Sequence, residues 1–307
     1  MRAAPGRRLL SVDRRRRLPT FLGVGPPRTA TTWLDRMMRG RVSLPQGTKD
    51  TAFFSARYGL GLDWYAWHFR RAAGKLAVGE FSATYFDHGQ ARRRIAELLP
   101  HCKIICTLRD PVERLYSHYR QLRHEGWVGR RTLRQALDSQ RHWCDQPGSL
   151  VGASRYARHL QAWRELFGRS RVLVLIYDEL VAEPWSWCRQ VEDFLEIDAG
   201  AGRPARELGR RVNRMDRAPR SPHLARRARR LRQALEARHL YRATALLSPL
   251  FELCFRGGGS LPALDPADEA ELRAFFAPEV EGLERLLDRD LSRWKTARAP
   301  LHQVSMR

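Results

Sequence analysis

The chain lacks the cysteine patterns that stabilise small secreted domains or bind zinc. Its 307 residues include five cysteines, an odd number without CxxC or Cys/His ligand spacing. This pattern argues against a disulfide framework and a structural zinc site and favours a reducing compartment. Cys102 and Cys106 flank an apolar run and are expected to be small core residues.

Long apolar segments are also missing. No stretch reaches the ~18 apolar residues that a membrane span requires. Residues 1–8 are basic, but Arg14 to Arg17 stand where the apolar region of a signal peptide would follow. The sequence therefore predicts no signal peptide, no transmembrane segment and a cytoplasmic location.

Acidic residues are scarce relative to basic ones. The 33 Asp and Glu residues face 56 Lys and Arg residues, which gives a formal net charge of +23. Such a surface attracts anions, whether nucleotide, acidic glycan, nucleic acid or anionic lipid. The apolar fraction of 43% is enough for a buried core. Only residues 1–17, which are basic and aperiodic, are predicted to be a disordered lead.

The pattern of apolar residues predicts an α/β fold. Buried strands are expected near residues 20–24, 76–79, 103–108 and 171–177. Helices are expected near residues 29–40, 90–99, 112–125, 131–142, 155–168, 184–195, 222–240 and 268–289. Strands that alternate with helices indicate a parallel sheet flanked by helices on both faces. We expect a single domain over residues 18–300.

One part of this domain differs from the rest. Residues 203–256 are dense in arginine and are predicted to form a basic helical insertion, with Arg226 to Arg232 on its main helix. Residues 257–259 are three consecutive glycines and are predicted to be a flexible joint.

A predicted anion site follows the first strand. The loop reads Gly-Pro-Pro-Arg-Thr-Ala-Thr-Thr over residues 25–32 and leads into a helix. The first N–H groups of a helix have no internal partners, and the helix dipole adds partial positive charge there. The candidate ligand-binding residues are Pro27, Arg28, Thr29, Ala30, Thr31 and Thr32.

This loop lacks the features of the common nucleotide-binding loops. The Gly-Lys-[Ser/Thr] end of the P-loop NTPase motif is absent. Arg28 stands where the third glycine of the dinucleotide-binding motif would be. The loop therefore favours a nucleotide other than ATP or NAD.

A second anion site is predicted at the end of strand 103–108. Arg109 lies at its carboxyl end, where open α/β sheets bind ligands, and Ser117 follows two helical turns later. Pro111 suits the first turn of the helix between them. Two anion sites on neighbouring strand ends suit a donor with both a 5′-phosphosulfate and a 3′-phosphate.

Residues 25–34 and 108–119 resemble the 5′-phosphosulfate and 3′-phosphate motifs of PAPS-dependent sulfotransferases, in the heparan-sulfate and bacterial carbohydrate branch. Weaker similarity covers residues 49–54, 79–86 and 283–294. The resemblance implies a P-loop-like sulfotransferase fold and PAPS (3′-phosphoadenosine 5′-phosphosulfate) as donor, without a metal. It implies sulfuryl transfer to a hydroxyl or amine of a carbohydrate or lipid acceptor.

The resemblance also implies roles for single residues. Asp50 takes the place of the catalytic base, normally Glu, and Glu80 is the natural substitute. Arg28 replaces a catalytic Lys and is expected to stabilise charge on the departing phosphate. Phe81 replaces a Lys that contacts glycan, which argues against a sulfated glycosaminoglycan acceptor. Further contacts to the donor are expected from Arg210, Arg211 and Arg214.

Two other hypotheses remain open at this point. One is a P-loop-type nucleotide kinase or NTPase, against which the missing Gly-Lys pair argues. The other is a basic protein that binds nucleic acid or a membrane surface, motivated by the arginines of residues 226–232. The favoured partners are a nucleotide donor and a small-molecule, glycan or lipid acceptor. Peripheral contact with anionic surfaces stays open, and nucleic acid is disfavoured.

Overall fold

The computed structural model describes residues 18–72, 77–139, 146–197, 217–255 and 257–296. Its strands are β1 (Phe21–Gly23), β2 (Gly79–Phe81), β3 (Lys103–Leu108), β4 (Val172–Ile176), β5 (Arg217–Pro219) and β6 (Gly257–Ser260). Its first six helices are α1 (Thr31–Met38), α2 (Leu62–Trp67), α3 (Gly89–Leu98), α4 (Pro111–His124), α5 (Leu133–Ser139) and α6 (Tyr156–Phe167). The other six are α7 (Tyr177–Ala182), α8 (Pro184–Leu195), α9 (Pro222–Ala237), α10 (Tyr241–Leu246), α11 (Ser248–Cys254) and α12 (Pro266–Leu287).

Four strands form a parallel sheet in the order β2-β1-β3-β4. From β1 the chain moves to β2 on one side and then to β3 on the other. This reversal creates a switch point, where the loops after two adjacent strands diverge and leave a crevice. The crevice lies at the carboxyl ends of β1 and β3, where both anion sites were predicted.

Helices cover both faces of this sheet, as predicted. Alternate strand residues point to opposite faces, so that Leu22 and Ile104 join one core and Phe21 and Ile105 the other. The first core includes residues of α3, α6 and α12. The second includes residues of α1 and α8. Each large apolar side chain buried in this way contributes about 1.5–3 kcal/mol.

The helical segment after residue 216 packs on the main core through specific contacts. Trp64 Nε1 donates to the carbonyl of Ala237 at 2.9 Å, and Arg226 donates to the carbonyl of Gly126 at 2.9 Å. His68 Nε2 lies 2.6 Å from the hydroxyl of Tyr241. The predicted basic helix is therefore anchored along its length. No helix among the described residues combines the length and apolar character needed to cross a membrane.

The predicted flexible joint at residues 257–259 is wrong. These glycines form most of β6, which pairs antiparallel with β5. A Cβ added at Gly258 would overlap the carbonyl of Ala218, so glycine permits the close approach of the two strands. The domain boundaries stay a prediction, and the lead of residues 1–17 lies outside the described residues.

Candidate active site

The loop between β1 and α1 is shaped by two residues in the left-handed region. Arg28 has φ 79° and Ala30 has φ 68°. Ala30 occupies the N-cap position of α1 and has no side chain that could accept from the helix. The N-terminus of α1 therefore lacks a side-chain cap from Ala30, and the helix dipole favours an anion at this end.

The loop is pinned to β3 through a buried hydroxyl pair. Thr29 Oγ1 donates to the carbonyl of Pro26 at 2.8 Å and lies 2.7 Å from Thr107 Oγ1. A Cβ added at Gly25 would overlap that same Thr107 hydroxyl. The Thr29 side chain thus holds the loop together from inside, which leaves its backbone N–H as its contribution to a ligand site.

A hydrogen bond joins the two predicted anion-binding segments. Arg28 Nε donates to Ser117 Oγ at 2.8 Å, across 89 positions of the sequence. Burial lowers the pKa of Arg28 to about 10, and the positive charges of Arg109 and Arg120 contribute to this shift. Like charges gathered in a crevice are unfavourable unless an anion neutralises them. The crevice is therefore built for an anionic ligand.

Arg109 is held at the carboxyl end of β3 by its own helix. Its Nε and one terminal nitrogen donate to Glu113 at 3.1 and 2.8 Å. Its guanidinium also lies over the ring of Tyr177, 4.6 Å from the centroid. Arg109 thus lies just before α4, and Ser117 lies two turns along it, on the side that meets Arg28.

Asp50 bridges two loops at the edge of this crevice. Its Oδ1 accepts from the backbone N–H of Ala52 at 2.9 Å, and its Oδ2 accepts from the backbone N–H of Ala83 at 3.1 Å. Two such bonds fix the orientation of the carboxylate. Each oxygen keeps a second lone pair for a further proton donor.

Glu80 lies beneath Asp50 and is fully buried. Its Oε1 accepts from the hydroxyls of Thr51, Tyr65 and Tyr85 at 2.9–3.0 Å, and its Oε2 accepts from the Thr51 N–H at 2.9 Å. Burial, together with the charge of Asp50, raises the pKa of Glu80 to about 7. Glu80 therefore fixes the Asp50 loop on β2, and its carboxylate is occupied by protein donors.

The buried carboxyl of Glu80 predicts that the free energy of unfolding depends on pH. The pKa of Glu80 in the folded chain lies above the ordinary 4.5, so protonated Glu80 stabilises the fold. This stabilisation is complete below pH 4.5 and is lost as the pH rises through about 7. The free energy of unfolding of the wild type should fall by about 3 kcal/mol over that window relative to Glu80→Gln. Urea titrations of both proteins at several pH values measure the difference, and a pH-independent difference contradicts the assignment.

Two basic residues near the crevice were missed by the sequence analysis. Lys49 Nζ donates to Thr31 Oγ1 at 3.0 Å, at the first residue of α1. Arg120 lowers the pKa of Arg28 and lies three residues after Ser117, on the same helical face. That spacing was a usable signal for Arg120, whereas the approach of Lys49 depends on tertiary structure.

The remaining residues that the resemblance implied are Phe81 and three arginines. Phe81 is fully buried, and its ring lies 5.7 Å from that of Phe21, so it packs in the core. It takes this position because Gly23 leaves room for its ring on the neighbouring strand. The candidates Arg210, Arg211 and Arg214 lie outside the described residues.

The comparisons with known proteins agree with this geometry. Residues 84–200 match the sequence model of the sulfotransferase family. The structure of a sulfotransferase from Alicyclobacillus acidocaldarius superposes with a TM-score of 0.65, at 22% identity, over 91% of this chain and 99% of that chain. The chain is thus similar to sulfotransferases in part of its sequence and in its fold. Its α/β fold is confirmed as the one predicted.

Two curated relatives in this family carry heparan sulfate in their names. Heparan sulfate glucosamine 3-O-sulfotransferase 6 of Homo sapiens is 32% identical over 198 residues, which cover 63% of this chain and 57% of that protein. Bifunctional heparan sulfate N-deacetylase/N-sulfotransferase 4 of Mus musculus is 30% identical over 197 residues, or 59% of this chain. The match spans 22% of the length of that larger relative.

These relatives overturn one prediction from the sequence. The cytoplasmic location is wrong by this comparison, because the heparan sulfate sulfotransferases that the chain resembles are Golgi-lumenal enzymes. The cysteine and leader patterns led to that prediction.

Proposed function

We propose that this chain transfers a sulfuryl group from PAPS to a hydroxyl or amine acceptor. The hydrogen bond from Arg28 to Ser117 carries the proposal, because it brings the loop after β1 and the helix after β3 into one anion site. A donor with phosphate groups at both its 5′ and 3′ ends matches two adjoining cationic positions. The match of residues 84–200 to the sulfotransferase family model supports the same donor.

In this proposal each end of the donor has its own set of residues. The 5′-phosphosulfate binds at the N-terminus of α1. There it accepts hydrogen bonds from the N–H groups of residues 28–32, which follow Pro27, and from the hydroxyls of Thr31 and Thr32. Arg109 and Ser117 receive the 3′-phosphate. Arg28 lies between them and adds positive charge next to the departing phosphate. An arginine stays charged at pH 7, so it stabilises charge and does not donate a proton.

The chemical step is an in-line displacement at sulfur. The acceptor oxygen or nitrogen forms a bond to sulfur, and the bond from sulfur to the bridging oxygen breaks with its electron pair left on that oxygen. Asp50 takes the acceptor's proton, for which the free lone pairs of its fixed carboxylate are suited. The protein does little covalent work, so positioning and charge dominate, as in phosphoryl transfer.

For the acceptor we propose a carbohydrate. The names of the relatives support this class, since heparan sulfate is a glycan. The formal charge of +23 favours an acidic one. Phe81 is buried and offers no polar contact, so other residues must hold the glycan. Incubation of the protein with ³⁵S-labelled PAPS and panels of glycans, lipids and phenols identifies the acceptor class.

Thermal unfolding with 3′-phosphoadenosine 5′-phosphate (PAP) tests the donor. At 100 times its Kd, PAP should stabilise the wild type by about 2.7 kcal/mol and raise Tm by several degrees. Arg109→Ala should bind PAP about 10- to 100-fold more weakly, because a charged hydrogen bond is worth about 1.5–3 kcal/mol.

The matched control is Arg134→Ala, since Arg134 pairs with Asp268 and Glu271 on the surface. It should shift with PAP as the wild type does. Stabilisation by ATP–Mg²⁺ or nucleic acid, with none by PAP, would overturn the proposed function and favour a kinase or a nucleic-acid binder.

A further inference from the structure

A loop distant in sequence contributes a cation to the first turn of α1. Arg28, which stands where relatives carry a loop lysine, has its Nε on Ser117 of α4. Lys49 reaches Thr31, the first residue of α1, with its Nζ 3.0 Å from the hydroxyl. Arg28 thus lies between the two predicted phosphate positions, and Lys49 lies at the predicted phosphosulfate position.

The hydrogen bond of Lys49 goes to a hydroxyl, and the carboxylates near it have donors of their own. Both oxygens of Asp50 accept from backbone N–H groups, and Asp35 Oδ2 accepts from Arg39 at 2.8 Å. The ammonium instead donates to a hydroxyl at a helix N-terminus, where the macrodipole is unfavourable for a cation. An anion bound at that terminus would relieve this arrangement.

We infer that Lys49 is a catalytic residue that donates a hydrogen bond to the bridging oxygen of the phosphosulfate as the S–O bond breaks. This inference rests on the proposed function. The electron pair of the breaking bond stays on the bridging oxygen, the acceptor's proton goes to Asp50, and Lys49 keeps its own proton. The ammonium neutralises charge that develops only in the transition state, which raises kcat more than donor affinity.

The electrostatic surroundings of Lys49 agree with this role. Burial lowers the pKa of Lys49, while the charges of Asp50, Asp35 and Glu80 partly oppose that change. A buried ammonium with a lowered pKa is a stronger hydrogen-bond donor than one in water. The same lowering predicts that activity declines on the alkaline side as Lys49 loses its proton.

The test follows ³⁵S-sulfate release from labelled PAPS with enzyme in excess and water as the acceptor, together with PAP affinity by calorimetry. Lys49→Met should lower the rate about 10²- to 10³-fold. Its PAP affinity should stay within a few fold of the wild type. Lys49→Arg should keep more activity and lose the alkaline decline, because arginine does not deprotonate.

Lys103→Met is the matched control, since Lys103 pairs with Glu196 at the amino end of β3 and should behave as the wild type. A normal rate in Lys49→Met would overturn the inference. If that variant does not fold, an unchanged alkaline decline in Lys49→Arg would overturn it. A wild type that does not bind PAP fails the proposed function itself, which separates the two failures.

Discussion

Asp50→Asn should lower sulfuryl transfer by about 10²- to 10⁴-fold, the usual contribution of a positioned general base. The amide cannot accept the acceptor's proton at neutral pH. It can still accept from one of the two backbone N–H groups that Asp50 binds now, so the loop should keep its place. PAP affinity should therefore stay within a few fold of the wild type.

The measurement is ³⁵S transfer from labelled PAPS at saturating donor, with PAP affinity by calorimetry alongside. Asp50→Glu is the matched control, because the family pattern carries Glu at this position and the variant keeps a carboxylate. We expect it to retain most of the activity. Normal turnover in Asp50→Asn would reassign the base to Glu80 or another group, even though Glu80 is fully buried among protein donors.

Asp110→Ala should cause the largest loss of stability, about 4 kcal/mol. Asp110 Oδ1 caps α4 by accepting from the N–H groups of Val112 and Glu113 at 2.9 and 3.1 Å. Its Oδ2 pairs with Arg273 of α12 at 3.0 Å, and both side chains are buried. Breaking a buried pair by removing one partner costs about 3–5 kcal/mol. Arg273 keeps Glu269 at 2.7 Å, so the loss of the pair lies at the lower end of that range and the lost cap of α4 adds about 1 kcal/mol.

Asp265→Ala is a close control for this variant. Asp265 caps α12 with the same geometry, accepting from Ala267 and Asp268 at 2.9 and 3.4 Å, but it is not buried against an arginine. Its loss should cost only the ~1 kcal/mol of a helix cap. Urea unfolding of the two variants compares these values directly. Equal losses would show that the buried pair with Arg273 adds nothing to the cap.

Much of the sheet could be predicted because its strands are continuous apolar runs. The runs at 103–108 and 171–177 became β3 and β4. The strand predicted at 76–79 was placed too early, since β2 covers Gly79–Phe81. A search for apolar runs does not find Glu80, because a carboxylate interrupts the run in the middle of β2. Its partners in the structure are Thr51, Tyr65 and Tyr85. Such a residue is understandable only once those hydroxyls surround it.

The helices also differ in how well the sequence predicts them. Long periodic helices such as α4 and α8 were predicted to within a residue or two, whereas the short helices α2, α7, α10 and α11 were missed. Helices of six or seven residues are not stable alone and exist through tertiary contacts, as in the bond between His68 and Tyr241.

The candidate site was predicted in outline because its segments are local. The loop at 25–32 and the pair Arg109 and Ser117 each lie within a few turns of one strand end. Their junction at Arg28 and the approach of Lys49 to Thr31 span 89 and 18 positions. No local pattern encodes such contacts, so they became visible only in the folded chain.

The pair between Asp110 and Arg273 forms late in the synthesis of the chain. The two residues are 163 positions apart, so a nascent chain displays β1, the anion loop and α4 well before α12 leaves the ribosome. Until then Asp110 lacks its buried cation, and α4 lacks the helix that packs beside it. The helix that carries Ser117 is therefore fully packed only after all four strands of the parallel sheet have been made.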